Sequence, residues 1–271
     1  MGTSGAYTGA GGKAGKDISN GLNDWLDSLP DGSGSDGDTP SNGETGAEDE
    51  SVTQLPPQAV SGLLSLLRPR SAGGGSSDGP AGGSGGSRGT GRTRAGSGRS
   101  SQRLASAGAR AAAGALAYIR GDAEQLAGLG LDYGELRALD DGFEVARRIV
   151  DAVCGKQSNG RLEEAEERYV AATVADWVLA QGADGEPLDA DDIVRYVIAT
   201  IVTEVLSSEL GEALRSRPDE VADVAEDELR AAASVLANKA KLSSSGPSAE
   251  ELAAAIEQGI ESLRPIYVGA S

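Results

Sequence analysis

With 271 residues, 40 glycines, one phenylalanine and 3% aromatics, the chain has too few large side chains to build one uniform core along its whole length. Its formal charge of −18 repels nucleic-acid phosphates and anionic membrane surfaces and favours basic partners. The chain holds no histidine, which excludes His-dependent triads, zincin sites and His/Cys deaminase centres, and its one cysteine, Cys154, excludes an intramolecular disulfide.

Residues 1–16, MGTSGAYTGAGGKAGK, carry apolar bulk only at Tyr7 and are expected to remain unfolded by themselves, because little burial offsets the backbone entropy. In 17–29, Ile18, Leu22, Trp25, Leu26 and Leu29 recur at helical spacing until Pro30 and Gly32 stop the run. Such a segment is too short for a stable isolated helix. It reads either as a docking element that offers Leu22, Trp25 and Leu26 to a partner, or as an element packed on its own domain. Residues 31–50 contain seven acidic residues and no basic one and are expected to be disordered. Residues 55–70 hold a brief apolar cluster at Val60, Leu63, Leu64, Leu66 and Leu67, bracketed by prolines, which predicts a single anchored turn of helix. The Gly/Ser-rich linker 71–99 adds Arg88, Arg92, Arg94 and Arg99, and with Arg103 and Arg110 forms a basic stretch. No aromatic lies between Val52 and Leu104 to stack bases, so solvated linker or counter-charge to the acidic region outweighs nucleic-acid contact.

From residue 100 the apolar period becomes helical. Residues 100–268 read as one acidic, all-α, irregular bundle of about six or seven helices. The first carries Leu104, Ala107, Ala111, Ala115, Tyr118 and Ile119 on a stripe and ends at Gly121. A short helix or turn follows over 122–133. Segment 135–154 turns Leu136, Leu139, Phe143, Ala146, Ile149, Val150 and Val153 inward and can divide at Gly142. Segment 161–181 places Leu162, Ala165, Tyr169, Thr173, Val174, Trp177 and Val178 on one face. Asp189 caps a helix over 190–214 whose broad Ile/Val/Leu face marks it as the central one. Pro218 opens the next, with Val221, Val224, Ala225, Leu229, Ala232, Val235 and Leu236 inward. Ser248 and Glu251 form a capping box for the last helix, which Pro265 ends.

Chemistry-bearing groups are sparse. Glu163, Glu164, Glu166 and Glu167 favour a helix N-terminus and read as a solvated face. Asp189, Asp191 and Asp192, with Asp184 and Glu186, lack the spacing of a twelve-residue calcium loop. Asp140 and Asp141 are adjacent and make no convincing catalytic pair. Gly15-Lys16 is followed by Asp17, so the Gly-rich tip is no Walker loop. No catalytic, metal or cofactor residue is assigned, and the chain is expected to be no enzyme. No run of about 18 apolar residues spans a membrane and no apolar leader opens the chain, which predicts a cytoplasmic protein. Ala6 stands where the myristoylation pattern wants Ser or Thr. Removal of Met1 would expose Gly2, whose α-amine, with a reference pKa of about 7.7–8.0, is partly unprotonated at neutral pH. A Gly followed by Thr3, Ser4 and Gly5 can thread a narrow enzyme pocket, the profile of a peptide substrate.

The opening Met1-Gly2-Thr3-Ser4, Tyr7 in a Gly-rich stretch, Trp25 in an apolar patch, the Arg/Gly/Ser linker and the helix ending Ala117-Tyr118-Ile119-Arg120 resemble the QatB family of the bacterial Qat anti-phage defence system. That resemblance implies a protein substrate and binding partner of a QueC-like enzyme, QatC. An ATPase and a TatD-like nuclease are the other members of the system. It further implies Gly2 as the residue modified with a deazapurine-type group and Thr3 and Ser4 as recognition residues. The chain departs from the family in having Leu22-Asn23-Asp24-Trp25 where a Pro-Pro-Trp type patch is expected.

Overall fold

The computed structural model describes residues 13–27, 55–67, 101–139, 141–155, 162–183, 185, 188–215, 219–243 and 246–268. These form ten α-helices and no strand. They are α1 (Lys13–Leu26), α2 (Pro57–Leu66), α3 (Ser101–Arg120), α4 (Ala123–Gly128), α5 (Tyr133–Arg137), α6 (Gly142–Cys154), α7 (Leu162–Ala183), α8 (Ala190–Arg215), α9 (Asp219–Asn238) and α10 (Ala249–Tyr267). Eight of them fall in 100–268, more than anticipated, because the stretch 122–139 divides into the two short helices α4 and α5.

Local chemistry sets most boundaries. Gly121 takes a φ of +70°, a left-handed geometry that ends α3 where a side chain would be strained. Asp122, Asp132 and Asp141 accept the backbone N–H groups of Gln125, Glu135 and Phe143, so three successive N-caps divide this region. The break at Gly142 thus follows from the cap at Asp141. Ser248 and Glu251 exchange the two bonds of a capping box at the start of α10. The end of α10 differs from expectation: the helix runs through Pro265 to Tyr267. A proline in the final turn forgoes only one backbone bond, and the Val268 N–H still reaches the Arg264 carbonyl at 2.7 Å. The proposed opening of α9 at Pro218 lies outside the described residues.

The helix α3 is the hub. Its buried positions run almost continuously from Leu104 to Ala117, and it packs on α7, α10, α6 and α8. A Cβ on Gly108 would meet Val197 Cγ1 at 2.6 Å, and one on Gly114 would meet Leu129 and Ile149 at 3.0 and 3.1 Å. A side chain at Gly108 would thus force Val197 to move, and one at Gly114 would need Leu129 and Ile149 to give by a few tenths of an ångström. The helix α8 shares the centre, with Ile193, Val197, Ile198, Ile201, Val205 and Leu206 buried.

Against this Ala/Gly surface α7 presents only part of its predicted face, Val174 and Val178. Val170, Ala171, Val174, Ala175 and Val178 are buried, whereas Leu162 and Tyr169 are 42% and 50% exposed. Close helix approach selects the small and β-branched residues for contact and leaves the larger ones at the rim. Phe143 and Val224, also expected inside, are exposed as well. For Phe143 the cap at Asp141 fixes the first turn of α6, whose buried face begins only at Val145. On α9, Ala225, Leu229, Ala232, Ala233 and Leu236 make the contact and leave Val224 to one side of that stripe.

The N-terminal elements belong to the same core. Ile18, Leu22, Trp25 and Leu26 of α1 join Ala59, Leu63 and Leu67 around α2 in one continuous cluster with the bundle. The helix α1 packs on α2 and α8, and α2 packs on α10. A boundary at residue 100 is thus too narrow: the packed unit takes in 13–27 and 55–67. The apolar run at 55–70 forms ten residues of helix, not one turn, because α10 and α1 cover both of its sides.

Arginines join helix ends across the bundle. Arg110 donates to the Val153 carbonyl at 3.1 Å, and Arg168 donates to that of Gly155 at 2.7 Å while pairing with Asp151. Arg195 donates to the Ala237 and Asn238 carbonyls at 3.2 and 3.1 Å, and Arg264 donates to the Leu67 carbonyl. Each places a cation on the negative end of a helix dipole and satisfies carbonyls that the helix itself leaves unpaired.

Candidate functional site

Gly2, Thr3, Ser4, Gly5 and Tyr7 lie outside the described residues. Leu22, Trp25 and Leu26 do not form an exposed docking face: Trp25 is 3% exposed and the other two less. The alternative of packing on the chain's own domain is the one the structure holds. The physical reason is that α2 supplies the apolar surface that α1 alone lacks; Gly21 lets the backbones meet, with a Cβ there 3.3 Å from the Ala59 nitrogen. Segment 17–29 also begins its helix earlier, at Lys13.

Cys154 lies half-buried with its Sγ 3.9 Å from the Glu167 carbonyl oxygen. Burial pushes its thiol up from the ordinary value, which keeps it protonated and poorly nucleophilic at neutral pH. Glu166 is buried on α7, and Glu167 pairs with Arg103 at 2.5 Å, so the glutamate cluster is partly inside and structural. Asp189 begins α8 as a cap residue, its carbonyl taking the Ile193 N–H at 3.2 Å; Asp184 and Glu186 lie outside the described residues. Among the described residues no three acidic, cysteine or histidine side chains gather to hold a metal.

The feature that concentrates chemistry is a surface groove of about 350 Å³ between α7, α8 and α9. Trp177 of α7 and Tyr196 of α8 stack in it, ring centroids 4.1 Å apart and planes at 10°. The stack forms because α7 places Trp177 one turn beyond Thr173 at the edge of its buried face, facing the first turns of α8. Gln181, Asp192, Ser234 and Asn238 supply polar groups around the rings. Arg195, which also lines the groove, donates to the carbonyls that end α9. Burial first, and the nearby Asp176 carboxylate second, raise the Tyr196 phenol above its ordinary value, so it stays a neutral hydrogen-bonding group. Asp176 and Asp192 are exposed and make no ion pair among the described residues. The groove was not foreseen, since Trp177 reads as core by spacing and its partner Tyr196 sits on another helix. A second hollow of about 290 Å³, beside α4, α5 and α6, is lined by Asp132, Glu135, Arg148 and Asp151.

No described helix is long and apolar enough to cross a membrane. No family model matches the chain, and neither a curated protein nor a solved structure matches it.

Proposed function

We propose that this chain is a non-catalytic component of an anti-phage defence complex, the protein substrate and binding partner of a QueC-like enzyme that modifies its Gly2 amine with a deazapurine-type group. The observation that carries the reading is the Met1-Gly2-Thr3-Ser4 tip set ahead of a helical bundle. Gly2 stands eleven residues before the first helix, and that length reaches at most about 40 Å, enough to enter a pocket on a second protein. The anchored α1 supplies a fixed base, since Ile18, Leu22 and Trp25 are buried in the bundle. A small, partly unprotonated α-amine supplies the electron pair that such a coupling needs. The ATPase and TatD-like nuclease of the same system are further partners on this reading, and the chain works in the cytoplasm.

Co-expression with a QueC-like enzyme, followed by intact-mass measurement and sequencing of the N-terminal peptide, tests this. The expected result is loss of Met1 and an added mass on Gly2. Gly2→Leu, which retains Met1, should abolish the added mass and leave the helical circular-dichroism signal unchanged. An unmodified N-terminus together with no co-elution on sizing would sink the proposal.

A further inference from the structure

We propose that the groove between α7, α8 and α9 reads an arginine side chain on a basic polypeptide partner, the guanidinium lying against the Trp177–Tyr196 stack with Asp192 in the groove wall supplying its counter-charge and the exposed Asp176, next to Trp177 in sequence, adding to it. The proposal stands apart from the fate of Gly2 and uses the opposite part of the chain.

The geometry supports a planar cation over other occupants. Trp177 and Tyr196 both line the groove as a parallel pair, and a negative aromatic face attracts a cation most strongly when water is partly displaced, as it is at these half-buried rings. Arginine fits such a wall better than lysine because its flat fork stacks and still donates several hydrogen bonds at its edge. Acceptors for that edge are present: Asp192, the Gln181 amide and the Ser234 hydroxyl face the same space.

The charge around the groove points the same way. Residues 101–271 hold 31 Asp and Glu against 16 Lys and Arg. Arginines and a lysine of α8, α9 and the turn after α9 are already committed. Arg195 lies on the α9 carbonyls, Arg230 pairs with Asp227 at 2.6 Å, and Lys239 donates to the Tyr267 hydroxyl at 3.3 Å. Asp176 and Asp192 are left as the local excess, without an ion pair among the described residues. The exposed Tyr169 extends the aromatic strip along α7 and gives residues flanking the arginine a surface to lie on.

The test uses the full chain and a fluorescein-labelled Gly/Ser peptide carrying four arginines, followed by anisotropy at low and moderate salt. Saturable binding is expected, weaker for the four-lysine peptide by about tenfold and absent for an acidic peptide of the same length. Asp192→Asn, at an exposed position that leaves packing intact, should weaken binding by about tenfold, and Trp177→Leu should weaken it at least as much. If Trp177→Leu fails to fold by circular dichroism, Asp176→Asn combined with Asp192→Asn takes its place. Binding unaffected by these variants, a preference for the acidic peptide, or no binding at low salt would overturn the proposal. Binding that emerges only when Arg88, Arg92, Arg94 and Arg99 are all replaced by Gln would assign the groove to the chain's own arginines and overturn a separate partner.

Discussion

Helices α3 and α8 cross the same centre with opposite inventories. In its 20 residues α3 carries eight alanines and two glycines, whereas α8 carries three isoleucines, four valines and three leucines in 26. Both are buried along most of their length. For α8 the stabilisation comes from apolar area, at roughly 1.5–3 kcal/mol per fully buried large side chain. For α3 little area is available per residue. Its contribution is proximity: neighbouring helices come close enough that Gly108 leaves no room for a methyl group and Gly114 only a tight one. The two helices should therefore fail in opposite directions, one when side chains are cut back and the other when they are enlarged.

The largest effect is expected from truncation in α8. Leu206→Ala or Ile201→Ala removes a fully buried side chain and should cost about 2–5 kcal/mol in chemical denaturation, the cavity adding to the lost transfer energy. Next is enlargement in α3. Gly108→Ala should cost about 1–3 kcal/mol although alanine is the better helix former, because Val197 stands in the way. Pairing it with Val197→Ala should give a total below the sum of the two by about 1 kcal/mol, a coupling that a double-mutant cycle reads directly. An additive result would show that the close approach relaxes freely and would dissolve the contrast between the helices. Arg195→Gln comes next: loss of its bonds to the Ala237 and Asn238 carbonyls should cost about 1 kcal/mol and speed hydrogen exchange at the end of α9. Phe143→Ser should change stability by no more than about 0.5 kcal/mol, since the ring is 67% exposed.

Much of this architecture was readable from residue order, and the failures have a common cause. Turn and cap chemistry is local, so Gly121, the break at Gly142, Asp189 and the Ser248–Glu251 box each marked a boundary close to the observed one. Apolar stripes depend on the partner. Periodicity alone gave Val174 and Val178 correctly to the core of α7, but it also gave Tyr169 and Trp177, where an Ala/Gly neighbour selects Val170, Ala171 and Ala175. The same displacement hid the groove, because Trp177, read as core, lines it together with Tyr196 of α8. Periodicity also marked α3 as one stripe among several, when smallness, and not apolar area, makes it the hub. Residue order left the joining of α1 to the bundle as one of two open readings and did not show that of α2, because seating two short helices depends on surfaces far along the chain.

Arg264 and Leu67 are 197 residues apart in sequence, and α10 forms one wall of the site that α2 occupies. During synthesis the first two helices emerge early and have no finished seat until almost the whole chain has left the ribosome. Their docking is therefore expected late, after closure of a large loop. A chain cut short before α10 would thus be damaged at its beginning as much as at its end.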